Sequence, residues 1–250
     1  MRVAMMLVFT ALMLALWHLA VRFELVNRTF VADPADAIAV IIRQIGSGAL
    51  FESILATIAR MASGWLLASL LGILIGAGIG SSRLAQQVFM PTLEALRPLP
   101  ASAVIPVAIL LLGLNDTMSI VVIAFGSLWP ALLATIHGFQ SVPRQLREVG
   151  TMLEMSRLRY FFTISLPSAL VDIIPGLRIG LALSLILTVV TEMQASLRGV
   201  GYDIFMAQRL YRSADLYAGL IVIGMIGFFI NQLLLISERR LLPWTTRRVH

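Results

Sequence analysis

Long apolar runs alternate with shorter polar segments along this chain. Val3 to Val21 ("VAMMLVFTALMLALWHLAV") is the first run. It is long enough for a helix to cross a bilayer, which takes about 20 mostly apolar residues. A signal peptide is the rival reading, but the run is long for an apolar signal core and no A-x-A site follows it. The pattern therefore predicts a retained helix, with Trp17 and His18 near its far interface. Arg22 to about Phe51 is more polar and predicts an extramembrane connector. Asp33-Pro34 breaks the chain there, and one amphipathic helix follows from about Ala35 to Ile45.

Further spans are predicted over Ile54–Gly80, Met118–Ile136, Ser168–Thr191 and Tyr217–Ile236. The first of these carries Gly72 and Gly76, a G-x-x-x-G spacing that permits close helix approach. Between it and Met118 lies "EALRPLPASAVIPVAILLLGLND", Glu94 to Asp116, with Pro98, Pro100 and Pro106 in or beside an apolar run. Proline removes a backbone donor and kinks a helix. In hydrocarbon the freed carbonyls must be satisfied within the protein or at a cavity. This kinked span is thus expected in the bundle interior, followed by a turn at Leu114–Thr117. The total is about six spans in an all-α membrane protein.

Composition agrees. The 250 residues are 59% hydrophobic and 13% charged, with mean hydropathy +0.92, against about 45–50% and about 25% in soluble domains. With no cysteine there is no thiol nucleophile and no Cys-based metal site. Net charge is +6 and every basic residue is arginine. Nucleic acid is not the expected partner, because no soluble basic face is present. Arginines flanking apolar spans instead orient a membrane protein. With a cytoplasmic N-terminus, ten arginines (2, 83, 144, 147, 157, 159, 239, 240, 247 and 248) fall on the cytoplasmic side. Six (22, 28, 43, 198, 209 and 212) fall opposite. Both termini are therefore expected in the cytoplasm.

One segment breaks the apolar rhythm: "LREVGTMLEMSRLRYFFTISLP", Leu146 to Pro167. Pro143 suits a first helical position. Leu146, Val149 and Leu153 then recur at i, i+3, i+7, with Arg144, Arg147 and Glu148 off that stripe. The helix is too short to span and too charged to insert. Periodicity leaves two readings open, a helix lying on the membrane or one docked in a groove of a partner.

The spacing of Glu148 to Ile164, Leu166 and Pro167 matches E-A-A-x3-G-x9-I-x-L-P. This resembles the cytoplasmic coupling loop in permease subunits of binding-protein-dependent ABC importers. "RPLPASAVIPVAILLLGLND", "LPSALVDIIPGLRIGLALS", "GVGYDI" and "ERRLLPW" resemble, in order, segments of the nitrate/sulfonate/taurine-like branch. Together they cover Ile54 to Trp244. There are departures: Val149 and Gly150 replace the two alanines, and Glu154 replaces the glycine that lets the family loop turn. Since glutamate enters the left-handed region only at a cost, either Gly150 supplies the turn or the bend differs.

The resemblance implies a type I importer permease fold with cytoplasmic coupling helices, in the bacterial inner membrane. Residues 1–50 would be an N-terminal helix and periplasmic connector, 51–244 the permease core and 245–250 a cytoplasmic tail. It implies three partners: a cytoplasmic ABC ATPase dimer, a periplasmic substrate-binding protein and a second copy of the chain. Arg147, Glu148, Val149, Gly150, Leu153, Glu154, Ser156, Ile164, Leu166 and Pro167 would form the ATPase-coupling loop. The solute would be a small anion such as a sulfonate, taurine or nitrate. Related branches carry aromatic carboxylates or vitamin precursors, and the span residues do not separate them. An autonomous secondary transporter is a further alternative, though no repeated halves are apparent. ATP and Mg would be held by the partner, as this chain has no G-x-x-x-x-G-K-[ST] loop.

No catalytic constellation is visible. Arg97, Asp172, Arg178 and Glu192 are the ionisable residues near span ends, where an interfacial or structural role is the plainer expectation. Ser127 and Ser184 lack a nearby base. For the translocation pathway the candidates are Ser102 and Pro106 in the proline-rich span and Thr188, Thr191 and Glu192 at the end of a later one.

Overall fold

The computed structural model describes residues 2–27 and 29–241, and among these the regular structure is helical throughout. The helices are α1 (Arg2–Arg22), α2 (Pro34–Gly46), α3 (Ala49–Gly80), α4 (Arg83–Leu96), α5 (Ala101–Leu112), α6 (Asp116–Gln140), α7 (Arg144–Met152), α8 (Arg157–Tyr160), α9 (Leu166–Ala195), α10 (Val200–Arg209) and α11 (Ser213–Leu241). One π-helical turn, Phe161–Ser165, joins α8 to α9. The chain divides into two compact units, residues 1–58 with 189–226 and residues 59–188 with 227–250.

The first unit begins with α1, which covers the first predicted span. The predicted connector helix is α2. The Asp33 side chain accepts from Ala35 N–H, and Pro34 sits in the first turn where its missing donor costs nothing. Trp17 Nε1 donates to Ala32 O at 3.1 Å and its ring lies 5.2 Å from that of Tyr217.

The second unit is built on glycine contacts between helices. Along α3, a Cβ on Gly64, Gly72, Gly76 or Gly80 would come within 3.0 Å of α6, near Ile123, Ala131, Leu132 O or Phe139 respectively. Gly64, Gly72, Gly76 and Gly80 face Ile123, Ala131, Thr135 and Phe139 at a constant sequence offset, so α3 and α6 run in the same direction. The G-x-x-x-G spacing is thus one step of a longer glycine row on which α6 lies at close range. Between α6 and α9 the order reverses: Gly126 meets Leu187, Gly180 meets Ser127 O, Gly176 meets Pro130 O and Gly138 meets Ala169. These two helices are antiparallel. Buried Ile79, Leu132 and Ile136 form one apolar cluster, and Phe139, Ala169 and Ile173 another.

Among the described residues four helices are long and apolar enough to cross a membrane: Ala49–Gly80, Asp116–Gln140, Arg157–Ala195 and Ser213–Glu238. The proline-rich segment differs from expectation. It is broken rather than kinked, with α4 and α5 bent by 89° and Pro98 and Pro100 in the break. Pro100 takes φ −68°, ψ 123° at the N-cap of α5, an extended pairing that ends one helix and starts the next. At about 1.5 Å per residue, α5 alone is too short for a bilayer of about 30 Å. Because α3 and α6 are parallel, α4 and α5 together must carry the chain back across. Nor is α5 enclosed by its own chain. Ile105 and Ala108 are buried, whereas Leu110 and Leu111 stay 84% and 74% exposed.

Candidate functional site

The interruption at Leu146–Pro167 forms a compact double turn. Pro143 stands at the N-cap of α7, one place before the expected position. On α7, Leu146 and Val149 are exposed, as are Met152 and Leu153 beyond them. The apolar stripe predicted from spacing therefore exists and is not covered by its own chain. On the polar face Arg144 Nε reaches Glu148 Oε1 at 3.1 Å, and Arg147 Nη2 donates to Gln140 O at 3.2 Å.

The turn after α7 is made by Glu154, not by Gly150. Glu154 has φ +47°. Its N–H donates to Thr151 O, and Met155 N–H donates to Gly150 O, both at 3.0 Å. This is the paired bonding of a Schellman motif, whose left-handed position usually holds glycine. The family glycine position and the left-handed position coincide, and the chain enters that conformation with a glutamate. Glu24, Ser196 and Tyr211 are left-handed too, each where a following N–H bonds back five residues: Leu25 to Ala20, Leu197 to Glu192 and Arg212 to Ala207. Non-glycine helix ends of this type recur in the chain.

Gly150 serves packing instead. It is the buried residue of α7, and a Cβ there would lie 2.6 Å from Tyr160 Cδ2. The Tyr160 ring thus seats α8 against α7. Ser156 starts α8, its Oγ accepting from Arg159 N–H at 3.4 Å. Ile164 lies in the π turn, and Leu166 and Pro167, which follow Ser165, start α9. Leu166 N–H donates to Phe161 O, five residues back. The wide turn falls where Pro167 has no N–H to continue an ordinary helical ladder. Phe161 stacks on Phe139 at 5.4 Å, joining this turn to the end of α6.

The pathway candidates separate into two groups. Ser102 and Pro106 on α5 are exposed. Thr188, Thr191 and Glu192 on α9 are wholly buried, with Thr188 Oγ1 donating to Ser184 O at 2.7 Å. Glu192 is held in a polar knot. Thr57 Oγ1 donates to its carboxylate at 2.9 Å, Gly201 N–H donates to Oε2 at 2.9 Å, and Val200 N–H donates to Thr57 Oγ1 at 3.0 Å. These bonds meet the requirement that a buried carboxylate be hydrogen-bonded. Sequence reasoning noted the Gly-x-Gly run but not its partner. Thr57 is one of four hydroxyl residues in the apolar helix α3, and only tertiary proximity marks it.

Two of the other ionisable residues at span ends have side-chain partners from other helices or their ends. Arg178 pairs with Glu238, and Asp172 accepts from Ser141 Oγ at 2.9 Å. Arg97 caps the C-terminal end of α4, its backbone N–H donating to Leu93 O. Among the described residues no three His, Asp or Glu side chains gather as a metal site.

Residues 68–247 match the family model described as the inner membrane component of binding-protein-dependent transport systems. The chain belongs to that family. It is a permease subunit of an ABC importer and a multi-pass membrane protein. The chain is 32% identical to the putative aliphatic sulfonates transport permease protein SsuC of Bacillus subtilis, over 95% of this chain and 86% of that one. It is 33% identical to the nitrate import permease protein NrtB of a Synechocystis strain, over 76% and 69%. It is 27% identical to the taurine transport system permease protein TauC of Escherichia coli, over 94% and 87%. Among solved structures, the MetNI methionine ABC transporter in an inward-facing conformation superposes with TM-score 0.69 at 14% identity, over 79% of this chain and 98% of that one. An amino acid ABC transporter superposes with TM-score 0.63 at 17% identity, over 80% and 98%. These structures share the permease fold.

Proposed function

We propose that this permease carries a small anion of the sulfonate, taurine or nitrate class, and that its α7–α8 segment couples transport to an ATPase in another chain. One observation carries the coupling assignment. Leu146, Val149, Met152 and Leu153 form an uncovered apolar stripe on a charged helix, in the segment between the end of α6 and the start of α9. A helix-in-groove contact needs such a stripe. The substrate class rests on the kinship to the sulfonate, nitrate and taurine permeases.

In this reading two copies form the pathway, a cytoplasmic ABC ATPase dimer binds ATP and Mg, and a periplasmic binding protein delivers the solute. The coupling residues are Arg147, Glu148, Val149, Gly150, Leu153, Glu154, Ser156, Ile164, Leu166 and Pro167. Rigid-body motion of the ATPase would pass through α7 and α8, across the Gly150–Tyr160 contact and the π turn, into α9. In the same reading residues 1–50 are the helix with its connector, 51–244 the core and 245–250 the tail, the tail lying outside the described residues. Six crossings, with α4 and α5 counted as one and α1 included, return the chain to its starting side. The arginine distribution favours the cytoplasm for both ends.

Uptake by the complete transporter in vesicles tests the reading. Labelled taurine, an alkyl sulfonate and nitrate are each offered with the binding protein, with and without internal ATP. ATP-dependent accumulation of one of them supports the class. Accumulation of none, by a transporter that still hydrolyses ATP, overturns the substrate assignment. Accumulation that survives deletion of residues 149–156 overturns the coupling assignment.

A further inference from the structure

A cavity of about 630 Å3 lies beneath the α7–α8 segment. Gly80 at the end of α3, Gln140 at the end of α6, and Phe161 and Ser165 before α9 contribute to it. It therefore sits at the level where three apolar helices begin or end. Arg83, Arg147 and Arg157 line it, and no Asp or Glu does. Among the described residues no carboxylate pairs with any of the three, the nearby Glu148 being engaged by Arg144. Arg147 uses one N–H on Gln140 O, out of the five that a guanidinium offers. The adjoining hollows add Arg144, Glu148 and Glu154. The whole concavity thus keeps an excess of two positive charges, four arginines against two glutamates.

Three like charges lining one cavity repel each other. Chains commonly relieve such a cluster with an acid, and the lining here supplies none. Guanidinium groups suit bidentate bonding to tetrahedral oxyanions. Phe139, Tyr160 and Phe161 add aromatic surface to the lining. We propose that this cavity is a binding site for a phosphate-class oxyanion, held by Arg83 from the α3–α4 side and by Arg147 and Arg157 from the α7–α8 side. An occupant would tie α7–α8 to the ends of the spans. The anion has two sources, the headgroup of an acidic phospholipid at the membrane surface or free phosphate in the aqueous phase.

The test uses the full-length chain, and its readout is the midpoint of thermal unfolding. In detergent, inorganic phosphate is titrated against chloride at constant ionic strength. In nanodiscs, phosphatidylcholine alone is compared with phosphatidylcholine plus phosphatidylglycerol. The wild-type midpoint should rise with phosphate, with phosphatidylglycerol or with both. A rise in detergent only identifies a soluble anion, and a rise in nanodiscs only identifies a lipid headgroup. Arg83→Gln with Arg157→Gln should weaken the apparent affinity about tenfold or more, as loss of charged hydrogen bonds does. Arg83→Lys with Arg157→Lys keeps the charge, reports on folding and should retain part of the response. Arg209→Gln, in the other unit, should respond like wild type. Absence of any wild-type response overturns the site, as does an unchanged response in the double glutamine variant.

Discussion

The carboxylate of Glu192 occupies the space that a side chain on Gly199 would need: a Cβ there would stand 2.5 Å from Oε2 and closer still to Oε1. Gly199 has an extended backbone (φ 162°, ψ 177°) that other residues also adopt, so the requirement for glycine here is steric. The closeness lets Glu192 reach past Gly199 to Gly201 N–H and bind the α9–α10 turn to the end of α9.

Gly199→Ala should therefore displace the carboxylate and open the knot. Overpacking of this kind costs about 1–3 kcal/mol. The expected outcome is a lower unfolding midpoint in detergent, whereas Gly224→Ala inside α11, where a Cβ meets nothing within 4 Å, should not lower it, since alanine favours a helix interior over glycine.

Thr57 links two partners, accepting from Val200 N–H and donating to Glu192. Thr57→Val keeps its shape and removes both bonds. Leaving buried polar groups unmatched should destabilise by about 1–3 kcal/mol, and Thr57→Ser should restore most of the loss. Thermal unfolding of the three proteins side by side checks this.

Glu154→Gly should stabilise. A non-glycine residue pays about 1–2 kcal/mol for left-handed backbone, and Glu154 sits at φ +47°. The substitution should raise resistance of the α7–α8 turn to limited proteolysis. No gain would mean that the Glu154 side chain makes a compensating contact in the assembled transporter.

Gly150 and Tyr160 should be coupled. Gly150→Ala drives a methyl into the Tyr160 ring and should impair uptake. Combined with Tyr160→Ala, the defect should be smaller than the sum of the two single changes, the non-additivity expected of residues in contact.

Glu148→Arg removes the Arg144–Glu148 pair and reverses a charge on α7. ATP-driven uptake by the complete transporter should be lost, with the amount of permease in the membrane unchanged by immunoblot. Retained uptake would remove Glu148 from the coupling surface.

Much of this protein could be read from the chain because the bilayer imposes a simple rule. Apolar runs of span length must become helices, so α3, α6, α9 and α11 were legible as spans. The connector helix α2 was legible from Asp33-Pro34 and the amphipathic run behind it. The spacing of Glu148, Ile164, Leu166 and Pro167 marked the α7–α8 segment and its kinship. Tertiary structure decided the rest. Composition treats Pro98 and Pro100 as kinks, but the parallel packing of α6 on the glycine row of α3 requires a returning segment, which is broken by 89°. Propensity argued against a left-handed glutamate, but the α7–α8 hairpin places Glu154 at the one residue that must turn, and its backbone bonds hold it there. The Thr57–Glu192–Gly201 knot joins residues 135 positions apart, and no local pattern encodes that meeting. Local sequence determines which segments become helices; which of their polar atoms meet depends on how closely the helices approach.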